Sequence, residues 1–291
     1  MSRRSPATVV VTDSTADLPA SIVSASGIRV IPVILIVDGA SYPDEGDLSR
    51  GVFYERLPGL RRPATTASPP VEAFSSTYRQ ALEAGADQVV SIHVSGRLSG
   101  IVDIARHAAR TFQDRVQVID SGQVSLGLGF QVLAGARAAS QAKSIREILE
   151  AADGVRRRVR TIALIDDLEY LRRSGRVDWL RSGLSALLHI RILVELVDGT
   201  IRRLGQVRTR TRAIEALVER ARSWGRPEAL GVVHTSAMED ATDLASRLAP
   251  LTGDEPLVVD VTTVIGAHVG PRSLGLVGVL QDPAEASPAV R

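Results

Sequence analysis

Residues 8–19 read TVVVTDSTADLP, an apolar β-branched run followed by a turn of small polar residues. The run Thr8–Val11 predicts a strand, and Pro19–Ser26 predicts a helix that Asp17 caps and Gly27 ends. The nearly unbroken apolar run Ile28–Val37 predicts a second, buried strand. Strand, helix and strand in this order indicate a βαβ unit with parallel strands.

The alternation continues through the first half of the chain. We expect strands over residues 87–94 and 115–119, and helices over residues 47–57 (capped by Asp47), 71–85, 101–112, 127–140 and 144–159. The Pro-rich segment between the first two of these helices predicts a loop. The pattern predicts an N-terminal α/β domain, residues 1–158, with a mostly parallel sheet and helices on both faces.

The second half has α+β character. Asp198-Gly199 between two apolar runs predicts a hairpin over residues 192–207, because an Asp-Gly pair supplies the positive φ angles of a tight turn. We also expect strands over residues 161–165, 230–234, 257–261 and 274–280, helices over 167–191 (broken at Ser174-Gly175), 211–224 and 238–249, and a frayed tail over 281–291. The sequence therefore predicts a C-terminal α+β domain, residues 159–291, with a mixed sheet.

Composition narrows the class of protein. The 291 residues are enough for two domains, and 44% are hydrophobic but only 3% aromatic. The core is therefore aliphatic, which weighs against stacking on single-stranded nucleic acid. The lack of cysteine excludes disulfides and cysteine nucleophiles. Without a charged-then-apolar leader we expect a cytoplasmic protein, and no apolar run approaches the ~20 residues of a membrane span.

Positive charge is concentrated in one region. The net charge is +2, yet residues 156–226 contain 17 Arg against 8 Asp or Glu. Such a belt could meet nucleic acid, an acidic protein or a phosphorylated ligand. A solvated surface would have the same composition, since Arg is the usual cation of this chain and Lys143 is its only lysine. Both interpretations stay open.

Four runs rich in Ser, Thr and Gly follow predicted strands, at residues 12–15, 65–70, 95–100 and 120–129. Turns of this kind can direct hydroxyl and amide donors into one crevice at a sheet edge and bind a carboxylate or phosphate there. Thr66 and Ser99 are the best candidates. Each run could instead cap the helix that follows it, which is the commoner use of Ser and Thr at such positions.

Other polar residues indicate chemistry less specifically. Asp13-Ser14 and Asp120-Ser121 each place a carboxylate beside a hydroxyl, which could orient a reacting group or simply form a turn. No two histidines have metal-ligand spacing, and the serine-hydrolase elbow, the P-loop and the dinucleotide fingerprint are absent.

The five histidines differ in their surroundings. Residues 266–271, which include His268, predict a flexible segment from which an imidazole could reach a ligand. The others fall on predicted strands or helices, where a structural role is commoner: His93, His107, His189 and His234.

Six motifs follow one another along the chain: VTDSTADLP at 11–19, TASPP at 66–70, SGRLSG at 95–100, VIDS at 118–121 with Ser125, Gly127 and Gly129, YLRRSGRV at 170–177, and HVGP at 268–271. In this order they resemble the DegV family of bacterial fatty-acid-binding proteins. The resemblance spans nearly the whole chain. It implies a two-domain α/β protein that holds one long-chain fatty acid between its domains, without catalysis and without a cofactor.

The resemblance also implies roles for individual residues. Thr66 and Ser99 match the residues that bind the fatty-acid carboxyl group, and His268 matches one that lies near it. Arg176 matches a residue implicated in contact with a separate ATP-dependent kinase subunit, which forms an acyl phosphate from the presented fatty acid.

Further residues complete the predicted head-group site. We expect Ser95 or Gly96 to lend an amide, and Asp13 and Ser14 to support Thr66 and Ser99. The chain departs from the usual family motifs, which predicts thinner or rearranged hydrogen bonding to the head group; the replacements are Gly96 for Ser, Ile101 and Val102 for Thr and Tyr, and Arg272 for Gly. Arg272 could add a cation near the mouth of the pocket.

Two alternatives remain open at this point. Ser14 or Ser99 could act with His268 and Asp13 as a hydrolase or phosphatase on a small ester. The basic belt alone would suit a nucleic-acid-binding regulator. We expect no nucleic-acid partner and no integral membrane contact, and we leave open a transient contact with a membrane surface.

Overall fold

The computed structural model describes residues 7–44, 46–177, 179 and 190–282. Its strands are β1 (Thr8–Asp13), β2 (Arg29–Ile31), β3 (Ile34–Val37), β4 (Ala40–Pro43), β5 (Thr65–Ala67), β6 (Gln88–His93), β7 (Val116–Asp120), β8 (Val159–Ile165), β9 (Arg191–Val197), β10 (Thr200–Val207), β11 (Ala229–His234), β12 (Leu257–Asp260) and β13 (Leu274–Val279). Its α-helices are α1 (Ala20–Ala25), α2 (Arg50–Arg56), α3 (Val71–Glu83), α4 (Ile101–Ala109), α5 (Leu126–Ser140), α6 (Ile145–Arg158), α7 (Leu168–Ser174), α8 (Arg210–Arg222), α9 (Met238–Leu248) and α10 (Thr263–Val269).

A parallel sheet forms the centre of the N-terminal half. Its strand order is β2-β1-β6-β7, and all its pairings are parallel. Consecutive residues of a strand point to opposite faces. On β6, Ile92 lies beneath Gly135 of α5, whereas the ring of His93 packs edge-on against Phe74 of α3. Helices therefore cover both faces, and the predicted α/β architecture is confirmed.

A mixed sheet of six strands forms the C-terminal half, in the order β10-β9-β8-β13-β11-β12. Only β11 and β12 pair in parallel; the other neighbours are antiparallel. The predicted hairpin is β9–β10, and Asp198 and Gly199 adopt φ angles of 49° and 75° at its turn. Helices α8 and α9 pack on this sheet. The prediction of a C-terminal mixed sheet is confirmed.

The predicted strand Ile28–Val37 is divided in two. Pro32 has no N–H for a sheet ladder, and it separates β2 in the parallel sheet from β3 in a small antiparallel sheet of order β4-β3-β5. Thr65–Ala67 lies in the segment predicted as a loop but forms the edge strand β5. Its mixture of small and polar residues gave no strand signal, because β5 pairs along one side only and both its end residues are exposed.

Several predicted helix caps are wrong. Asp17 does not cap α1, since its side chain points to other elements and its φ angle is 52°. Ser49 rather than Asp47 caps α2, and its hydroxyl accepts from the Val52 N–H. His268 lies in helix α10 rather than in a flexible segment.

The predicted break in the helix over residues 167–191 is confirmed, because α7 ends at Ser174 and Gly175 follows with a φ angle of 67°. Arg191 belongs to β9 rather than to this helix, and residues 178 and 180–189 lie outside the described part of the chain. The expectations for His189 and for the tail beyond Asp282 fall outside the described residues.

The buried core is shared between the two halves. One cluster of buried side chains lies under the parallel sheet and extends into the second half at Val159, Val233, Val264 and Val277. A second cluster lies between the mixed sheet and helices α8 and α9. A domain boundary between residues 158 and 159 therefore stays a prediction, at the point where α6 passes into β8. Among the described helices, none is long and apolar enough to cross a bilayer.

Candidate ligand-binding site

A cavity of about 270 Å³ lies where the two halves meet. Its wall combines Thr15 of the turn after β1, Thr66 of β5, the Leu98–Gly100 turn with the first residue of α4, the end of α7, and one side of α10. Polar groups from segments that are far apart in the sequence therefore line the same cavity.

Thr66 and His268 meet in this wall. The Thr66 hydroxyl and the His268 Nε2 are 2.8 Å apart. Pairing of Leu35 with Thr66 fixes the strand register, and α10 lies against β5. Burial, together with the nearby Arg176 cation, lowers the pKa of His268 to about 4. The imidazole is thus neutral near pH 7, with one ring nitrogen able to donate and the other able to accept.

Ser99 lines the same cavity. Its backbone N–H donates to the Ser95 carbonyl, which closes the turn. The alternative in which Ser99 caps α4 is wrong, because Gly100 occupies the cap position and no side chain caps that helix. Likewise Ser68 does not cap α3, whose cap residue is Pro70. The hydroxyls of Thr66 and Ser99 are thus not used in helix capping.

Ser95 and Gly96 are not placed in the cavity wall. The Ser95 N–H donates to the Gln123 carbonyl at 2.9 Å, and the Gly96 N–H donates to the Asp120 carboxylate at 3.2 Å. Both amides are therefore already used within the protein. A Cβ atom at position 96 would lie 2.9 Å from Asp120 Oδ2, so this close approach suits the glycine found here.

Asp13 lies directly behind the cavity wall and is fully buried. One carboxylate oxygen accepts from the Thr15 N–H (3.1 Å) and hydroxyl (2.5 Å), and the other accepts from the His93 Nδ1–H (2.9 Å) and the Val94 N–H (3.1 Å). Thr15 and Val94 both line the cavity. The structure thus joins Asp13 to the wall beside Thr66 and Ser99 rather than to those two residues.

Two neighbours extend this buried layer. Ser14 Oγ accepts from the Val33 N–H at 3.1 Å, and Val33 also lines the cavity. His93 Nε2 lies 2.7 Å from the Ser91 hydroxyl, so both ring nitrogens have partners. The structural role predicted for His93 is confirmed.

Arg176 borders two cavities at once. A second, more polar cavity of about 330 Å³ shares Thr66, Ser174, Arg176 and His268 with the first, and it opens between α7 and the segment before β5. Arg176 Nη1 donates to the Ser174 carbonyl at 2.5 Å, and burial lowers the pKa of the guanidinium. The residue expected to contact a partner thus also faces the wall that holds Thr66 and His268.

An apolar cavity of about 100 Å³ lies beside the first one. The two share a run of aliphatic side chains: Val124, Leu171, Ile201, Ile265 and Val269. Its floor is a row of small residues across the mixed sheet, where Ala163 pairs with Gly275 and Gly275 with Val233. A Cβ atom on Gly275 would lie 2.7 Å from the Val233 side chain, so position 275 has no room for a residue larger than glycine. Sequence reasoning did not find this cavity, because its lining comes from strands and helices that only the fold brings together.

Two of the residues that depart from the family motifs differ in their position relative to the cavities. Ile101 lines the first cavity as an apolar residue. Arg272 lines none of the cavities described above; its Nε lies 3.9 Å from the Asp166 carboxylate. The expectation that Arg272 supplies a cation at the pocket mouth stays a prediction.

The hydrolase alternative is not favoured. Asp13 binds His93 rather than His268, and the hydroxyl near His268 is that of Thr66 rather than of Ser14.

Much of the basic belt is ion-paired, since Arg157 binds Asp153, Arg158 binds Glu228, and Arg191 and Arg210 both bind Asp166.

Comparisons with known proteins agree with this geometry. Residues 7–280 match the family model described as DegV family COG1307. A DegV domain-containing protein of Streptomyces coelicolor is 38% identical over 92% of this chain and 96% of its own length. A DegV domain-containing protein of Deinococcus radiodurans is 32% identical over 95% of this chain and 99% of its own length.

Solved structures show the same fold. A Thermus thermophilus DegV family protein, whose structure is described by its fatty acid binding, superposes with a TM-score of 0.88 at 30% identity, over 94% of this chain and 99% of that one. Bacillus subtilis DegV, described as a fatty acid binding protein, superposes with a TM-score of 0.83 at 28% identity, over 95% and 100%. From its sequence match and its fold, the chain belongs to the DegV family.

Proposed function

We propose that this protein binds a long-chain fatty acid without transforming it, and presents the carboxyl group to a separate ATP-dependent kinase subunit. The observation that carries the proposal is that a cavity with Thr66, Ser99 and His268 in its wall, the head-group cavity, shares aliphatic lining residues with a second, apolar cavity, the tail cavity. A head group and an acyl chain need these two environments side by side. The fatty acid binding described for the relatives in Thermus thermophilus and Bacillus subtilis supports the same ligand class.

The acyl chain would supply most of the affinity. Each buried methylene contributes about 0.8 kcal/mol, so an aliphatic cavity binds a long chain without aromatic side chains. The tail cavity is lined by Val, Leu, Ile, Ala and Gly and by polar side chains that already have partners inside the protein, such as Thr161 with Gln123 and Ser125 with Asp17. One polar atom of the lining differs from these: His234 Nε2 is buried and has no hydrogen-bond partner among the described residues.

The carboxyl group would be held by hydrogen bonds and by charge. A carboxylate accepts only, so Thr66 would donate its hydroxyl proton to the ligand while His268 Nε2–H donates to Thr66. Arg176 supplies a positive charge at the same wall, which offsets the unfavourable burial of the carboxylate. Ser99 would add a further hydroxyl donor.

The position of Arg176 suits presentation to a partner. It lies between the head-group wall and the second, polar cavity, and it keeps an exposed face. A kinase subunit that approaches this opening would meet Arg176 and the carboxyl group together. We therefore keep Arg176 as the proposed partner contact and add that it faces the ligand.

Ligand content is the direct test. Protein purified without added lipid should release fatty acid into an organic extract, in about equimolar amount by mass spectrometry, and delipidated protein should rebind palmitate in a calorimetric titration. The matched control is Ser76→Ala, a change at a half-buried position on α3 outside the cavities. An extract free of fatty acid, together with delipidated protein that gives no heat with palmitate, would refute the proposal.

Presentation needs a separate test. Palmitate-loaded protein, ATP and a purified fatty acid kinase subunit should form acyl phosphate, trapped as the hydroxamate, and Arg176→Ala should reduce the rate more than it reduces palmitate affinity. Equal loss of rate and affinity would show that Arg176 serves the ligand alone.

A further inference from the structure

Asp17 belongs to the first sequence motif, yet neither helix capping nor ligand contact accounts for it. It is 1% exposed and lines none of the cavities described above. Its φ angle of 52° turns the chain after the short helical turn Ser14–Ala16, so that the carboxyl group points away from α1. Burial of an acidic side chain is unfavourable unless hydrogen-bond partners in the interior compensate for the lost hydration.

The Asp17 carboxyl group joins two segments that are far apart in the chain. Oδ2 accepts from the Ser125 hydroxyl at 2.5 Å, and Oδ1 accepts from the Thr262 N–H at 2.9 Å. Ser125 is the residue before α5, and Thr262 is the residue before α10. The side chains of Ser125 and Thr262 do not cap these helices, and Asp17 accepts a hydrogen bond from the residue that precedes each of them.

Both segments belong to the walls of the proposed binding site. The Ser125 N–H donates to the Thr15 carbonyl at 2.8 Å, and Val124 lines both the head-group and tail cavities. Helix α10 contributes Ile265 and Val269 to both cavities and places His268 beside Thr66. Holding Thr262, the residue before this short helix, therefore also restricts where the His268 ring lies near the end of the helix.

Other contacts hold α10 from a different side. The Thr263 hydroxyl donates to Asp44 at 2.9 Å, and Tyr54 packs against Gly266 while its hydroxyl donates to the Val261 carbonyl. These contacts connect α10 to α2 and to the segment after β4. The hydrogen bonds of Asp17 differ from them because they tie α10 to the opposite wall, formed by Thr15 and Ser125.

We propose that Asp17 is a positioning residue that holds helix α10, and with it His268, at a fixed distance from the Thr15–Ser125 wall of the binding cavity. This inference rests on the proposed function for its ligand but not for its geometry. It assigns to Asp17 the spacing of the site rather than contact with the fatty acid.

Paired variants test the geometry. Asp17→Ala removes both hydrogen bonds, whereas Asp17→Asn keeps an oxygen for the Thr262 N–H and a donor for the Ser125 hydroxyl, which can rotate to accept. We expect Asp17→Ala to weaken palmitate binding by about tenfold, the size expected for hydrogen bonds to a charged group, and Asp17→Asn to restore the wild-type affinity. The His268 ring nitrogen signals in ¹⁵N NMR, assigned with His268→Gln, should shift or broaden in Asp17→Ala alone.

A control separates positioning from general loss of stability. Leu244→Ala truncates a fully buried residue of the second core cluster, away from the cavities. It should lower the melting temperature while leaving palmitate affinity and the His268 signals unchanged. Should Asp17→Ala fail to fold, Ser125→Ala removes one of the two bonds and should give a smaller change of the same kind.

Three outcomes would overturn the proposal. They are unchanged His268 signals in a folded Asp17→Ala or Ser125→Ala variant, an Asp17→Asn variant as impaired as the alanine one, and a Leu244→Ala variant that loses as much affinity as Asp17→Ala. Wild-type protein that binds no palmitate would refute the proposed function instead, and the His268 signals would still decide the role of Asp17.

Discussion

A single hydrogen bond joins two residues of the proposed head-group site. Thr66→Val keeps the shape of the side chain but removes the hydroxyl that lies 2.8 Å from His268 Nε2. We expect palmitate affinity to fall by about tenfold, because a hydrogen bond to a charged acceptor contributes roughly 1.5–3 kcal/mol. Calorimetric titration with palmitate measures the loss. Thr65→Val is the matched control, since Thr65 is exposed and lies on the other face of β5. This variant should bind palmitate with the wild-type affinity.

The site residues could be predicted to different degrees. Thr66, Ser99 and His268 were found because the resemblance aligned their motifs, and the structure places all three in one cavity wall. Thr15 was missed as a wall residue because its hydroxyl looks like any turn former until Asp13 is seen to fix it. Arg176 was predicted as a partner contact only, since no spacing in the sequence brings it near residue 268.

Buried Asp17 makes a prediction for pH. Burial raises its pKa to about 7, although hydrogen bonds from Ser125 and Thr262 and the charge of Arg50 oppose the rise and Asp44 adds to it. An unfolded chain releases this proton near pH 4, so between about pH 4 and 7 the folded state binds the additional proton. The stability supplied by Asp17 is therefore complete at low pH and is lost as the pH rises toward 7.

Asp17→Asn should remove this dependence. The free energy of urea unfolding of the wild type, relative to that of Asp17→Asn, should fall by a few kcal/mol between pH 5 and pH 8, at up to about 1.4 kcal/mol per pH unit. Other ionisable groups are common to both proteins and cancel in the difference. A difference that stays constant with pH would show that Asp17 has an ordinary pKa.

At the scale of elements, the β9–β10 hairpin reaches across to the third motif. The Ser95 hydroxyl donates to the Gly199 carbonyl at 3.5 Å, and Arg97 Nη1 donates to Thr200 Oγ1 at 3.1 Å. The next residue, Ile201, lines both the head-group and tail cavities. The turn of the hairpin is therefore bound to the third motif directly beside a residue that lines the proposed ligand site.

Gly199→Ala should be more destabilising than its φ angle alone explains. The added Cβ would lie 2.2 Å from Ser95 Oγ, in addition to the strain of a φ angle of 75°. Gly39→Ala is the matched control, because Gly39 has a φ angle of 85° in the β3–β4 turn and no atom within 4 Å of the added Cβ. We expect about 1 kcal/mol of destabilisation at Gly39 and roughly 1–3 kcal/mol more at Gly199, measured by urea unfolding. Equal losses would show that the hairpin tip does not pack on Ser95.

Elements were predictable where local signals agreed. The hairpin followed from Asp198-Gly199, and α6 followed from Ser144, which forms a capping box with Glu147. Prediction failed where tertiary pairing overrode the local pattern: Ile28–Val37 is apolar apart from Arg29, but Pro32 separates it into two parts that pair in different sheets. The strand β5 had no local signal, because its conformation comes from pairing with β3.

At the scale of the whole molecule, the two halves are distinct in topology but not in packing. The first core cluster contains side chains from both halves, including Val10 and Leu126 together with Val233 and Val277. The proposed ligand cavities lie at this shared region and are lined by strands of the mixed sheet together with turns that follow strands of the parallel sheet. Strand periodicity predicted two sheets, but it could not predict that one core would join them, since that depends on how the faces meet.

The proposed tail cavity is lined by the mixed sheet, so residues of this sheet should influence which acyl chains bind. Ala163 and Gly275 are paired across neighbouring strands and form part of its floor. Ala163→Leu would place three additional carbon atoms where the acyl chain ends or bends, and each methylene that is displaced loses about 0.8 kcal/mol. The variant should therefore bind palmitate at least about tenfold more weakly, while the affinity for the shorter octanoate should change little.

The ratio of the two affinities, measured by displacement of a fluorescent fatty acid, isolates the tail from the head group. A defect of the head-group site would weaken palmitate and octanoate equally, because both end in the same carboxyl group. Ala84→Leu, an exposed change at the end of α3, provides the matched control and should leave both affinities unchanged. If Ala163→Leu binds both ligands as the wild type does, the acyl chain does not lie over the Ala163–Gly275 row, and the aliphatic cavity is not the tail site.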